Sequence, residues 1–391
     1  MNKIFEEIAE RYGTPFYLFN IDRIVSQIEK IKSAFPKFNL CYCIKANPFV
    51  VPFIVSYISR FEVCSPGEFD LCRHYSINPE KIFYTGVYKE KKEVETALRY
   101  GVRNFSCESM EQLRIIVKTA ESVSEEVFVY LRYGDSNQFG LDEETLLEII
   151  ENLCVYKVNF AGIHYFEKSQ KKSTNKISTE LQEIDRLCDM IQEKYSFKVL
   201  NIEYGLGLDV DYFSFNPEEK MTQLLAEASD VLKSWNREAC ITIEMGRFFA
   251  APCGYYITKV VDTKTKGNIQ FAILDGGSHQ MHYDGQMLGM KTPIIRNLGY
   301  RNNKSDSWTL CGSLCTHNDI IARNVTVYDL KINDLLVFEY IGAYSVTEGM
   351  AMFLSRDIPP VIITSKDIGI LCARKRISSY YFNIIDTDKL S

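Results

Sequence analysis

Lys45 follows a short apolar run, Leu40-Cys41-Tyr42-Cys43-Ile44, and Glu244 closes another, Cys240-Ile241-Thr242-Ile243-Glu244. A lysine at the end of an apolar strand is partly desolvated, which lowers its pKa and makes the amine available for carbonyl chemistry. An isolated lysine there more often only snorkels to water, so its neighbours decide. Two glycine-bearing turns, Tyr204-Gly205-Leu206-Gly207 and Glu244-Met245-Gly246-Arg247, offer backbone N–H groups and an arginine to an anion. Either turn alone is weak evidence; their falling together with Lys45 is more specific. Arg132 lies near the end of a further apolar run, where a surface position is one reading. Cys315, taken by itself, reads as a buried residue of a β-rich segment.

These residues need elements that bring them together. Eight apolar runs alternate with helical patterns: residues 40–44, 61–64, 82–85, 104–107, 127–133, 158–166, 199–204 and 240–244. The stripe Ile21, Ile24, Val25, Ile28 and Ile31 marks one helix, and residues 177–195 another. Ser65-Pro66-Gly67-Glu68 reads as a capping box with proline at the first helical position. The alternation predicts an α/β fold, a (β/α)8 TIM-type barrel over residues 21–254; a doubly wound open sheet is the other way to draw it. In a barrel, catalytic groups sit at the C-terminal strand ends, and the first and eighth strands become neighbours on closure. Lys45 and Glu244 would then adjoin. From residue 255 to 391 the texture becomes β-rich, predicting a separate C-terminal β domain, with residues 1–20 lending it an N-terminal strand at TPFYLF.

Composition narrows the function. The net charge is −6 and no long basic run occurs, which argues against a nucleic-acid partner. No stretch is apolar enough to span a bilayer, and the opening MNKIFEEIAERYG is a charged amphipathic segment rather than a signal peptide, so a cytoplasmic location is expected. The 12 cysteines form no CxxC pairs, so neither a metal site nor a disulfide framework is expected.

Tyr42-Cys43-Ile44-Lys45-Ala46-Asn47 resembles the lysine motif of the fold-type III pyridoxal-phosphate decarboxylases, the diaminopimelate, ornithine and arginine decarboxylase family with an alanine-racemase-like barrel. GIHYFEKSQ (162–170), YGLGL (204–208), EMGR (244–247), LDGGSH (274–279), CGSLCTHND (311–319) and GAY (342–344) follow in the family's order. The resemblance implies pyridoxal 5'-phosphate bound covalently by Lys45, with Glu244 holding the pyridine nitrogen protonated. It implies Gly205, Gly207, Gly246, Arg247, Ser169 and Tyr344 around the phosphate, and Arg132 near the ring's oxygen. Cys315 corresponds to the family's proton donor, which enters from the partner copy of a homodimer with shared active sites. Asp319 and Thr316 fall in the segment that contacts the distal end of the substrate.

The chain also departs from the family's pattern. Phe166 stands where the family stacks an imidazole on the cofactor; an aromatic ring can still stack there. His164 matches the neighbouring histidine, a structural hydrogen bonder or a cofactor contact. Lys168 replaces a glycine, Leu206 interrupts a three-glycine run, and CTHND replaces the CESGD of diaminopimelate decarboxylases. The tail GAYSVTEGMAMFLSRDIPP resembles members from siderophore and antibiotic pathways, some of which act on conjugated amino acids. The expected activity is therefore decarboxylation of a specialised or conjugated amino acid. A non-catalytic regulatory relative and a racemase are the alternatives.

Overall fold

The computed structural model describes residues 2–134, 137–299, 305–328 and 330–385. By contacts the chain divides into two units. One comprises Gln27–Val210 and Glu219–Phe249; the other comprises Met1–Ser26, Asp211–Glu218 and Ala250–Ser391.

The first unit is a closed barrel of eight parallel strands: Asn39–Cys43, Arg60–Val63, Ile82–Tyr84, Asn104–Cys107, Phe128–Tyr133, Asn159–Tyr165, Asn201–Gly205 and Cys240–Met245. Each coincides with one of the eight apolar runs to within two residues at nearly every end. Closure is made by the last strand pairing with the first, with Cys41 opposite Glu244. The open-sheet alternative is thereby excluded. Large side chains fill the barrel from non-adjacent strands: the Phe83 ring lies 5.1 Å from Tyr130 and 5.4 Å from His164. Deeper polar groups are paired across the same lumen, Arg60 reaching Glu203 and, at 3.2 Å, the Tyr130 hydroxyl. A buried charge without such a partner would be strongly destabilising.

Helices start where side chains can take the free N–H groups of the first turn. Ser65 accepts from the Glu68 N–H at 3.2 Å, and Pro66 opens the helix Pro66–His74. The capping box is modified, however: the Glu68 carboxylate takes the N–H of Cys64 at 2.6 Å. It therefore ties the strand end to the helix start. The helical pattern at 177–195 lies within Thr174–Tyr195. No helix among the described residues is long and apolar enough to cross a membrane.

The second unit is a mostly antiparallel sheet. Its strands run in the order Ile320–Tyr328, Ser305–Cys311, Ile269–Leu274, Gly254–Lys266, Phe16–Asn20, Val361–Ser365 and Gly369–Arg374. Leu335–Glu339 also pairs with Gly254–Lys266 and carries Ile295–Asn297 beyond it. The N-terminal Phe16–Asn20 is thus an interior strand, antiparallel to Gly254–Lys266 and parallel to Val361–Ser365. Phe5 and Ile8, on the helix Asn2–Tyr12, bury against Phe16, Leu18, Tyr255, Ile257, Val337 and Ile362. Residues 211–218 lie within the span 21–254 expected for the barrel, yet group with this unit. Tyr212 and Phe213 explain why, their rings lying 5.3 and 6.2 Å from Tyr283.

Candidate active site

The first barrel strand delivers Lys45 on a single turn of 3₁₀ helix, Ile44–Ala46. The second strand runs alongside with Cys43 opposite Glu62. This register places both Glu62 oxygens 2.7 and 2.8 Å from Lys45 Nζ. Thr85 Oγ1 donates to Glu62 at 2.8 Å, and Cys64 Sγ lies 3.2 Å from the ammonium. Glu62 is buried, whereas the Lys45 side chain is 41% exposed. Burial disfavours the ammonium, but Glu62, then Cys64, Cys43 and Glu244, outweigh it and hold the Lys45 pKa well above its ordinary value. The lowered pKa expected from the strand-end position is therefore corrected: an opposing carboxylate overrides desolvation. Burial likewise penalises the Glu62 carboxylate, and Lys45 overcomes it, holding Glu62 well below the usual range.

Glu244 is the next-to-last residue of the eighth strand and is 6% exposed. Cys43 Sγ donates to its Oε1 at 3.6 Å, while Oε2 lies 3.4 Å from His164 Nε2 and accepts no hydrogen bond among the described residues. His164 is buried, with Nδ1 2.8 Å from Ser106 Oγ. Cys43, Glu62 and Glu244 place ligand atoms within 4.8 Å of one another, a set of metal-donor types. Two of them are already committed. Lys45 neutralises Glu62, and burial, then Glu62 and Glu244, push the Cys43 thiol well up, away from the thiolate a metal takes.

Arg132 is not the surface residue its position also allowed. It is buried, donates to Glu108 Oε1 at 3.0 Å, and stands 5.0 and 5.9 Å over the Phe139 and Phe166 rings. Its Nε has no hydrogen-bond partner among the described residues. Phe166, just past the sixth strand, packs on Gly205. A Cβ at position 205 would meet the Phe166 ring at 2.3 Å, so the ring's place requires glycine. Gly207 has φ +59°, and a side chain there would meet the Lys168 carbonyl oxygen at 2.4 Å and Ser169 Cα at 3.2 Å. Ser169 is exposed beside this turn, and the partly exposed Arg247 follows Gly246 as the first residue of the short helix Arg247–Ala250. The barrel thus gathers Lys45, Glu244, His164, Arg132, Phe166, Ser169 and the three glycines at the C-terminal ends of its strands.

Cys315, Thr316, Asp319 and Tyr344 belong to the β unit. Cys315 is exposed in the turn after Ser305–Cys311. Asp319 is 3% exposed, and its carboxylate accepts from Ser278 N (2.7 Å), Ser278 Oγ (2.8 Å) and Leu314 N (2.8 Å), which ties the Cys315 turn to the Gly-Gly-Ser segment. Thr316 is half-buried, its hydroxyl taking the Asn318 N–H at 3.3 Å. Tyr344 is half-buried with φ +66°, a conformation that costs a non-glycine residue roughly 1–3 kcal/mol.

Glu62 and Glu108 were not singled out from the sequence, although Glu62 is an acidic residue inside the otherwise apolar run FEVC and Glu108 directly follows the run NFSC. That is the signal which could have found them.

The donor-poor Glu244 Oε2 is the sharpest test of the cofactor. A buried carboxylate oxygen with no donor costs about 1–3 kcal/mol; a protonated pyridine nitrogen held here would supply the missing N–H. The donor set fits.

The chain is similar to the L-glutamyl-[BtrI acyl-carrier protein] decarboxylase of Niallia circulans, 27% identical, covering 94% of this chain and 92% of that protein. It is also similar to the 2-[(L-alanin-3-ylcarbamoyl)methyl]-2-hydroxybutanedioate decarboxylase of Staphylococcus aureus, at 26% identity with 90% and 95% covered. The solved diaminopimelate decarboxylase of M. jannaschii, in complex with L-lysine, shares the fold with a TM-score of 0.87, 22% identity, and 98% and 94% coverage. The pattern described as pyridoxal-dependent decarboxylase, pyridoxal binding domain, matches residues 21–251. The chain belongs to the fold-type III pyridoxal-dependent decarboxylases, enzymes that act on amino acids with pyridoxal 5'-phosphate as cofactor.

Proposed function

We propose that this decarboxylase acts on an amino acid carried in a larger conjugate, of the acyl-carrier or hydroxy-acid kind, rather than on free diaminopimelate. One observation carries the reading. Within Cys315-Thr316-His317-Asn318-Asp319 the sole carboxylate is Asp319, and three internal donors already occupy it. Thr316, uncharged and short, stands where diaminopimelate decarboxylases carry glutamate, so the turn offers no acid to a distal ammonium group. Relatives that act on conjugated substrates support this, although diaminopimelate decarboxylases match at similar identity.

When bound, pyridoxal phosphate supplies an electron sink for the carbanion left by departing CO2. The chain's residues take the following parts in this proposal. Lys45 Nζ would hold the cofactor covalently, and Glu62 would hold the proton on Nζ until the amine reacts. Glu244 Oε2 holds the proton on the pyridine nitrogen, and His164, fixed by Ser106, keeps that carboxylate in place. Phe166 stacks on the ring and Arg132 lies near the ring oxygen. Ser169, Gly205, Gly207, Gly246, Arg247 and Tyr344 surround the phosphate. Cys315, from a second copy of the chain in a homodimer, gives the proton to the decarboxylated carbon.

The test is CO2 release by purified protein with a panel of free and conjugated amino acids, with Lys45→Ala as the inactive control. Higher kcat/KM on a carrier-linked or hydroxy-acid-linked amino acid than on free diaminopimelate is expected. The reverse order overturns the reading.

A further inference from the structure

Below the glycine turn Gly205–Gly207 lies a buried ion pair to which the proposed chemistry gives no part. Lys171 Nζ is 2.5 Å from Glu180 Oε2, and both side chains are almost fully enclosed, at 0% and 3% exposure. Tyr204 Oη donates to the same oxygen at 2.5 Å. The ammonium also donates to the Gly205 carbonyl oxygen at 3.2 Å and stands 5.2 Å over the Tyr204 ring. The enclosed Lys171 ammonium has a carboxylate, a carbonyl and a ring face around it. It is therefore in no position to touch a ligand.

The backbone of the same residue continues the attachment. Lys171 N–H donates to the Gly207 carbonyl at 2.9 Å, and the Lys171 carbonyl accepts from Asp209 N at 3.1 Å. Gln170 extends it, exchanging side-chain hydrogen bonds with both backbone groups of Val210 at 3.0 and 3.4 Å. The turn is thus held by one residue at Gly205, Gly207 and Asp209, while Leu206 N–H reaches back to the Glu244 carbonyl at 3.3 Å.

The pair is an expensive way to fill this space. Burial penalises both charges, raising the Glu180 pKa and lowering that of Lys171, each only partly offset by the other. Glu180 Oε1 is in addition buried without a hydrogen-bond partner among the described residues. Apolar residues of similar volume often serve stability equally well or better. What they could not do is donate to the Gly205 carbonyl and hold the peptide between Gly205 and Leu206 in one orientation.

We infer that Lys171, locked by Glu180 and Tyr204, is a positioning residue that fixes the Gly205–Gly207 turn in the shape that receives the cofactor's phosphate. The inference rests on the assignment of that turn to the phosphate in the proposed function. It goes further by naming a residue that acts on phosphate recognition without contacting phosphate.

The test compares the affinity of the full chain for pyridoxal phosphate and for pyridoxal, which lacks the phosphate, by titration of the visible absorbance of the bound cofactor. The variant is the double substitution Lys171→Met with Glu180→Leu, which removes the charges together and leaves neither buried alone; thermal unfolding monitors its fold. Pyridoxal phosphate affinity is expected to fall about tenfold or more, the loss of one hydrogen bond to a charged group, with pyridoxal affinity unchanged. Equal losses for both compounds, or no loss for either, overturn the inference by reducing Lys171 to a packing role. If the wild-type protein itself shows no preference for the phosphorylated compound, the phosphate assignment fails first and takes the inference with it. Should the double variant not fold, Lys171→Met with Glu180→Gln, which also removes both charges but leaves Tyr204 a hydrogen-bond acceptor, is titrated in the same way and judged by the same outcomes.

Discussion

Lys45 and Glu62 form a two-pronged ion pair at the mouth of the barrel, with Nζ 2.8 Å from one carboxylate oxygen and 2.7 Å from the other. The two come from adjacent strands and are separated by 17 positions in the chain. The pair favours the protonated amine. An amine must be neutral to attack a carbonyl, so in the proposed function Glu62 would restrain the first event in cofactor loading.

Replacing Glu62 by Gln is expected to move the pH dependence of cofactor loading. Lys45 is held above its ordinary value chiefly against burial and by Glu62, so removal of Glu62 lowers its pKa. The free amine then appears at lower pH, and the rise of pyridoxal phosphate uptake with pH moves to lower pH. Stopped-flow absorbance across the pH range measures it. An unmoved profile would remove Glu62 from this role.

The same pair makes a prediction for acid stability. The folded-state pKa of Glu62 is depressed, so its contribution is present above the ordinary carboxylate pKa and is lost as pH falls through the depressed value. The stability difference between wild type and Glu62→Gln should therefore be largest near neutrality and shrink on acidification, as read from denaturant unfolding at several pH values. A difference independent of pH would show that the two-pronged contact stabilises through packing alone.

Cys315→Ala is expected to leave pyridoxal phosphate binding intact and to slow product formation by about 10²- to 10⁴-fold, the usual contribution of a positioned proton donor. Solvent-deuterium incorporation and product analysis by mass spectrometry would follow the fate of the decarboxylated carbon. Full turnover with the normal product would end the assignment.

Asp319→Asn turns one acceptor oxygen into a donor that faces backbone N–H groups. It is expected to cost about 1–3 kcal/mol in unfolding free energy, with less order in the Cys315 turn. A substrate contact would behave differently: KM would rise while the unfolding midpoint stayed put.

Gly205→Ala tests the relation between the seventh strand and Phe166. The added methyl would meet the ring at 2.3 Å, so the ring must leave its place. Weaker cofactor binding is expected, with partial recovery when Phe166 is also reduced to Leu. Undiminished affinity in the single variant would show that the Phe166 ring position is irrelevant to binding.

By itself the sequence determined the backbone framework and the ends at which chemistry is displayed. Short apolar runs spaced by amphipathic stripes and caps specify strands and helices through local periodicity, and all eight barrel strands follow from it. The positions of Lys45 at the end of the first strand and Glu244 at the end of the eighth follow from the same runs. Only the tertiary structure decided what each charged side chain meets. Glu62 reaches Lys45 through the register of two strands, Glu108 reaches Arg132 across 24 positions, and Glu244 adjoins Cys41 only because the barrel closes. Glu62 reversed the expected direction of the Lys45 pKa, and Ser278 and Leu314 supply the donors that Asp319 meets. The reason is physical: strand propensity acts over a few residues, whereas the energy of a buried charge depends on groups that register and closure bring within 3 or 4 Å.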